Sequence, residues 1–254
     1  MFIKILKDNL FVAPIGEDPQ RILDIGTGSG IWAIDVADQY PSAEVIGVDI
    51  SPVQPSFVPP NCRFELDDAT QPWTFQENHF DFIHIRMMNG CVPDWTAFYR
   101  QALKHIRPGG WFEQVELSIH THCDDGSLPD DSVFHKWAHL FIEIGQKIGR
   151  TFEVAESAPE WLKAAGFVNV TNQTIKVPLG PWAKEKHLKE LGLWSRVYLE
   201  NNLEGFALKV TTMFAGWSVE EAQVFFAKMR KSLRDPSIHS YIYLKVVTGQ
   251  KANE

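Results

Sequence analysis

Three acids and a glycine-rich turn are where this sequence can do chemistry. In RILDIGTGSG, Asp24 ends an apolar run just before Gly26, Thr27, Gly28 and Gly30. A glycine turn lets a ligand approach the backbone, because no Cβ stands in the way. Dinucleotide sites use such a turn with the spacing G-x-G-x-x-G, whose third glycine position holds Ile31 here. A carboxylate beside the loop repels a pyrophosphate and suits a ligand with an ammonium or sulfonium group. S-adenosylmethionine carries both. Asp49 closes the next apolar run, nineteen residues after Gly30; an acid there accepts hydrogen bonds from ribose hydroxyls. Asp68, in LDDA, follows a third run, where an acid accepts from an adenine amino group. Asp67 competes with it for that role. Alone, Asp49 reads as a helix cap and Asp68 as a turn residue; the three acids in order, after three strands, read as a nucleoside site.

The elements that must position these acids alternate. RILDI (21–25) is a short β-branched run followed by glycines, so a buried strand is predicted. Residues 29–40 follow as a helix with Ser29 as its cap. Strands are expected at 43–49, 62–66, 80–85 and 111–117. The stretch 51–61 holds four prolines and must be extended loop. A helix over 94–107 should stop at Pro108-Gly109-Gly110. Strands alternating with helices imply a parallel sheet with right-handed crossovers. The second half reads as helices at 132–149, 158–167, 188–214 and 218–234, with strands at 167–177 and 237–251.

With 254 residues the chain can bury one large core. A single domain is expected over 1–254, with its core at about 10–120, 155–178 and 237–251. A helical cap takes up about 130–150 and 182–235. The net charge of −8 argues against broad binding to nucleic acid or anionic membranes, which depends on clustered Lys and Arg. No run reaches membrane-span length, and MFIKILKDNLF has no clear signal-peptide core. Cys62, Cys91 and Cys123 are scattered and odd in number, as expected of reduced thiols in a cytoplasmic or nuclear protein. The basic KMRK (228–231) falls in an amphipathic helix and is no dependable nuclear address.

LDIGTGSG, VIGVD, LDDA and RPGGWFEQVE together resemble the first to third motifs and the following strand of the class I S-adenosylmethionine-dependent methyltransferases. APIG, GTGSGIWAIDVADQYPSAEVIGVDISPVQPSFVPPN, FELDDATQPWTF and FDFIHIR resemble more closely the LaeA-like methyltransferases of filamentous fungi. That group includes regulators of secondary metabolism and enzymes of natural-product clusters. The resemblance is strong over about 10–120. It implies an α/β, Rossmann-like, seven-stranded, mostly parallel sheet with an antiparallel last strand and helical cap insertions around strands five to seven. It also implies that Asp24, Gly26, Gly28, Asp49, Asp68 and Ala69 contact S-adenosylmethionine, with S-adenosylhomocysteine as product. Thr27, Ile50 and Arg86 join that set. Members usually carry further N-terminal segments before the glycine motif. Here about twenty residues precede it, so a reduced lid, the helical second half or another chain is expected to cover the site.

Methyl transfer is an in-line displacement, helped mainly by positioning and exclusion of water. The loop after the fourth strand, IRMMNG, lacks the N-P-P-[YF] pattern of enzymes that methylate planar nitrogens. Met87, Met88 and Asn89 would face the methyl group, two methionines making a plastic wall; they equally suit packing under the next helix. Downstream, ELSIHTHCDD offers His120 and His122 as a base, a metal pair or a solvated strand end, and no matching second ligand pair stands out. No metal is expected. Glu113, on the opposite strand face from Glu116, is a third candidate for catalysis. His135 and His139, at i and i+4, read as a polar stripe. Trp137 and Trp194 either line an acceptor pocket or belong to the core, as helical aromatics usually do. The leading function is methylation of a small molecule, a fungal secondary metabolite. The alternatives are a LaeA-like regulatory or scaffold subunit with a protein partner or as a homodimer, and a cofactor-binding fold turned to a non-methylating step such as a cyclisation.

Overall fold

The computed structural model describes residues 1–253. Its elements, in chain order, are α1 (Phe2–Ile5), β1 (Arg21–Ile25), α2 (Ile31–Gln39), β2 (Glu44–Asp49), β3 (Cys62–Leu66), β4 (Phe80–Arg86) and α3 (Trp95–His105). They continue as β5 (Ile106–His122), α4 (Val133–Ile148), α5 (Val154–Ala165), β6 (Val168–Pro178), α6 (Lys186–Phe214), α7 (Val219–Arg234) and β7 (Tyr241–Gln250). The chain divides into two compact units. One comprises Asn9–Glu116, Val154–Gln173 and the chain from Lys245 on; the other comprises Met1–Asp8, Leu117–Glu153 and Thr174–Leu244.

The seven strands lie in one sheet in the order β3-β2-β1-β4-β5-β7-β6. Strands β1 to β5 pair in parallel, with Asp24 opposite Gly47 on one side and His84 on the other. Side-chain hydrogen bonds join Asn169 to Gln250 and Thr171 to Thr248, so the register falls on one strand as it rises on the other. That descending match is antiparallel and makes the sheet mixed, as the resemblance implied. The central strands are buried almost throughout, as parallel strands covered on both faces must be. One face packs on Trp32, Ala33 and Val36 of α2; the other on Phe98, Tyr99 and Ala102 of α3 and Ala158 and Leu162 of α5.

Local physics explains where the elements depart from expectation. Ser29 does not cap α2. Gly30 occupies the cap position in the left-handed region, and no side-chain hydrogen bond closes that end. Helix α3 starts as expected, with Asp94 accepting from the Ala97 amide, but ends at His105. A residue before proline is pushed out of helical conformation, so the chain is already extended ahead of Pro108. Pro108, Gly109 and Gly110 therefore lie inside β5, where the pairing with β4 shifts between Phe80 and Phe82. Helix α5 begins at Val154, earlier than 158, because Val154, Ala155, Ala158 and Leu162 bury one continuous face despite Pro159.

In the other unit, Trp137 of α4 stacks at 6.0 Å on Phe206 and 6.3 Å on Phe225, and lies 4.6 Å from Phe141. This cluster holds α4, α6 and α7 together. Ser218 and Glu221 form a capping box that starts α7. Among the described residues no helix is long and apolar enough to cross a membrane.

Candidate cofactor site

The carboxyl ends of β1, β2, β3 and β4 carry the glycine turn and its acids. The turn is held by backbone pairing: the amides of Gly26 and Thr27 both donate to the Val48 carbonyl, at 2.9 and 3.0 Å, and the Gly30 amide donates to the Thr27 carbonyl. Gly26, Gly28 and Gly30 all have positive φ, of 68°, 58° and 79°. Side chains strain in that region, so the three glycines follow from the path of the chain. Their surroundings differ. A Cβ on Gly26 would collide with the Met88 sulfur, and one on Gly30 with the Phe64 ring. A Cβ on Gly28 would meet nothing within 4 Å. Gly28 thus lines an open cradle, and this observation fits a ligand lying against the turn.

Asp49 borders that cradle. Its Oδ2 accepts from the Gly28 amide at 2.8 Å and its Oδ1 from the Ser51 amide at 2.9 Å. Both oxygens keep further acceptor capacity for hydroxyl donors. Gln54 ties the β2–β3 connection to the turn, donating from Nε2 to the Gly28 carbonyl at 2.7 Å. Ile50, beside Asp49, is 70% exposed and presents an apolar face. The Asp67 amide donates to the Asp49 carbonyl, which pins the turn after β3 beside the end of β2. Asp68 Oδ1 accepts from both the amide and the hydroxyl of Thr70, and the Ala69 carbonyl accepts from the Trp73 indole. The Asp67 carboxylate instead caps the Asp68 amide.

Asp24 sits lower than the sequence suggested. It is buried, with Oδ2 accepting from the Thr27 hydroxyl at 2.6 Å and Oδ1 lying 2.8 Å from His84 Nδ1. His84 is stacked flat on Trp32, at 3.8 Å, and its burial pushes the imidazole pKa down. Gly47, opposite Asp24, leaves the space that Thr27 and Phe64 fill. Sequence reasoning missed His84. Its one signal was a polar ring between Ile83 and Ile85 in FDFIHIR.

Beyond β4 the chain turns sharply. Arg86 ends the strand opposite Val115, and its charge reaches both His84 and Asp35. Met87 takes φ 58°, uncommon for a non-glycine residue, and its amide donates to the Val115 carbonyl. The turn is fixed by Glu116, which is fully buried. Its Oε1 accepts from the Met88 amide at 2.8 Å and from Gln114 Nε2 at 3.2 Å, and it also takes the Asn89 amide. Met88 itself packs on the apolar core. Burial drives the Glu116 carboxyl pKa up to about 7, against the lowering effect of these donors. Glu113, on the other sheet face, is likewise pushed up to about 7 by burial. Its Oε2 accepts from the amides of Val12 and Ala13, at 2.8 and 2.7 Å.

A folded-state pKa above the unfolded value means that the native state holds the proton more tightly. Stability from Glu116 is then present at low pH and lost as pH rises from about 4.5 to about 7. Glu116→Gln keeps the acceptor oxygen for Met88 and cannot ionise. It is expected to flatten the decline in stability between pH 5 and pH 8, by up to about 3 kcal/mol. Chemical denaturation at both pH values checks this.

The remaining candidates lie in the second unit. His120 Nε2 is 3.0 Å from Glu153 Oε1, and both are partly exposed. His122 lies against Tyr241 and Tyr243, at 5.6 and 4.9 Å. His135 Nδ1 bonds the Asp130 carbonyl. Trp137 is engaged in the aromatic cluster of α4, and Trp194 on α6 is 48% exposed. The described residues include no cluster of three or more metal-ligating side chains.

A family model described as a methyltransferase domain matches residues 2–172. Methyltransferase pytC of Aspergillus terreus is 39% identical over 99% of this chain and 78% of its own length. Secondary metabolism regulator LAE1 of Cochliobolus heterostrophus is 34% identical over 98% of this chain and 83% of its own. Among solved structures, Haemonchus contortus phosphoethanolamine N-methyltransferase 2, in complex with phosphomonomethylethanolamine and S-adenosylhomocysteine, superposes with a TM-score of 0.56. It covers 93% of this chain and 50% of its own at 18% identity, a likeness of fold. The glycine turn and its acids are therefore those of a chain that belongs to the methyltransferase domain family, whose methyl donor is S-adenosylmethionine.

Proposed function

We propose that this chain transfers a methyl group from S-adenosylmethionine to a small-molecule acceptor of fungal secondary metabolism. The open cradle at Gly28, with Asp49 bonded to its amide, carries the reading. In it, Gly26, Thr27 and Gly28 receive the cofactor against their backbone, and Asp49 accepts from the ribose hydroxyls. Ile50 packs on the adenine face, while Asp68 and Ala69 meet the adenine edge. Asp24, already fixed by Thr27 and His84, gives the negative field for the ammonium end. Arg86 stands at the end of β4, beside Met87, Met88 and Asn89, which border the reacting methyl.

Bound there, the cofactor supplies a methyl group made electrophilic by its sulfonium. The chain's share is orientation and dryness, worth most of the acceleration in such a displacement. Met87 and Met88 give an apolar wall, and Glu116 holds their turn through two amides.

The regulator reading rests on the 34% identity to LAE1. Both are tested by incubating the purified protein with methyl-labelled S-adenosylmethionine and an extract of fungal metabolites. Label transferred to a small molecule is expected. Label on protein alone, or no transfer together with stable capture of a protein partner, would replace the first reading with the second.

A further inference from the structure

The stretch Ser51-Pro52-Val53-Gln54-Pro55 opens the proline-rich connection between β2 and β3. Gln54 reaches from it to the glycine turn. Its Nε2 donates to the Gly28 carbonyl at 2.7 Å and to the Ser51 carbonyl at 2.9 Å. An amide nitrogen carries two hydrogens, so these carbonyls take both. A flipped amide would set Oε1 against two carbonyl oxygens, so the partners fix the orientation.

The consequence falls on Gly28. Its N–H, in the peptide with Thr27, donates to Asp49 Oδ2 at 2.8 Å. Its C=O, in the peptide with Ser29, accepts from Gln54. The peptide groups on both sides of the Gly28 Cα are thus held by side chains from the end of β2 and the connection after it. Glycine suits this position for its freedom at positive φ, and the same freedom lets an unheld turn wander. Packing cannot hold it, because nothing stands within 4 Å of where a Cβ would be. Gln54 is itself prepared locally. Ser51 and Gln54 each precede a proline, which disfavours helical backbone at both, and the Val53 amide donates to the Ser51 carbonyl at 3.0 Å.

These contacts add little to stability. The Ser51 bond is exposed and the Gly28 bond only partly buried, and holding a long side chain costs rotamer entropy. What they supply is preorganisation: a ligand meeting a turn already shaped does not have to order it. We propose that Gln54 is a positioning residue for the cofactor, clamping the carbonyl side of Gly28 as Asp49 clamps the amide side.

The inference rests on the cofactor reading above, and two measurements separate them. The first is carbonyl NMR of the ligand-free protein labelled with carbon-13 glycine. Gln54→Met keeps the length of the side chain and removes its donors. The Gly28 carbonyl resonance should move upfield, the direction in which a carbonyl carbon loses a hydrogen bond. A resonance unmoved by Gln54→Met overturns the clamp whatever the cofactor does.

The second is calorimetric titration with S-adenosylhomocysteine at pH 5 and pH 8, with thermal unfolding confirming that each variant is folded. Gln54→Met should bind about tenfold more weakly than the wild type at both. Gln54→Glu distinguishes a donor from mere bulk. As a carboxylate it only accepts, and it repels the two carbonyls; protonated, it donates one hydrogen. The carbonyls and Asp49 disfavour its charge, so its pKa lies above the ordinary carboxyl value and it takes up a proton as pH falls. Its loss of affinity relative to the wild type should therefore be larger at pH 8 than at pH 5. The other carboxylates on the elements around the turn, Asp24, Asp35, Asp67 and Asp68, are common to both proteins, so the ratio reports on the substitution. Full affinity in Gln54→Met, or a Gln54→Glu loss equal at both pH values, overturns the positioning role. Absence of binding in the wild type overturns the cofactor reading, and the positioning role with it, while the carbonyl resonance still decides the clamp.

Discussion

Asp49→Ala is expected to weaken S-adenosylhomocysteine binding by about 1–3 kcal/mol, roughly 5- to 150-fold, with a small change in stability. The size comes from what the carboxylate does in the free protein. It accepts from the Gly28 and Ser51 amides, and so shapes the turn before any ligand arrives. On the proposed reading it also offers its remaining lone pairs to the ribose, in hydrogen bonds strengthened by its charge. Alanine removes both contributions. The stability change is small because the Ser51 contact is exposed and the Gly28 contact only partly buried, so water replaces the lost acceptor. Asp49→Asn separates the parts: an amide oxygen still accepts from Gly28, so a smaller loss than in alanine is expected. Isothermal titration of the three proteins decides it. Equal affinity across them would remove Asp49 from the ribose and leave it a turn residue.

Much of this site was legible because its physics is local. A run such as RILDI followed by glycines can only be a buried strand opening a turn, and β1 falls at 21–25 as read. The ends of β2 and β3 follow from the same pattern. Boundaries failed where distant residues decide them. Ser29 is a good cap by type, yet the chain must curl at Gly30 to bring Phe64 over the turn, so the cap is a left-handed glycine. Pro108-Gly109-Gly110 has the composition of a helix stop, yet pairing with β4 and with the end of β7 draws it into β5. The three polar neighbours in the middle of the sheet were hidden for a further reason. Asp24, His84 and Glu113 are far apart in sequence and meet only through register. Local patterns show which face a residue takes, not which strand will lie beside it. Glu113 was noticed as an acid near the site, but its tie to Val12 and Ala13 is a long-range contact that no spacing encodes.

Alanine at Gly28 and alanine at Gly30 should fail in different ways, and the contrast tests what each glycine is for. Both positions have positive φ, so each substitution carries a strain of about 1–2 kcal/mol. At Gly30 the new methyl group also drives into the Phe64 ring, which is packed between the turn and Gly47. Overpacking of that kind adds about 1–3 kcal/mol, so Gly30→Ala should lose about 2–5 kcal/mol of stability. At Gly28 nothing stands within 4 Å of the methyl group, so only the strain is felt and the protein folds. The methyl group then occupies the cradle itself. Gly28→Ala should therefore lose cofactor affinity by tenfold or more while losing only the strain of about 1–2 kcal/mol in stability, since the ligand cannot approach the backbone. Denaturant unfolding paired with S-adenosylhomocysteine titration reads both effects. If Gly28→Ala binds as the wild type does, the open space beside Gly28 is not where the cofactor lies. If Gly30→Ala is as stable as Gly28→Ala, the Phe64 ring can move aside, and steric packing is not the reason for glycine there.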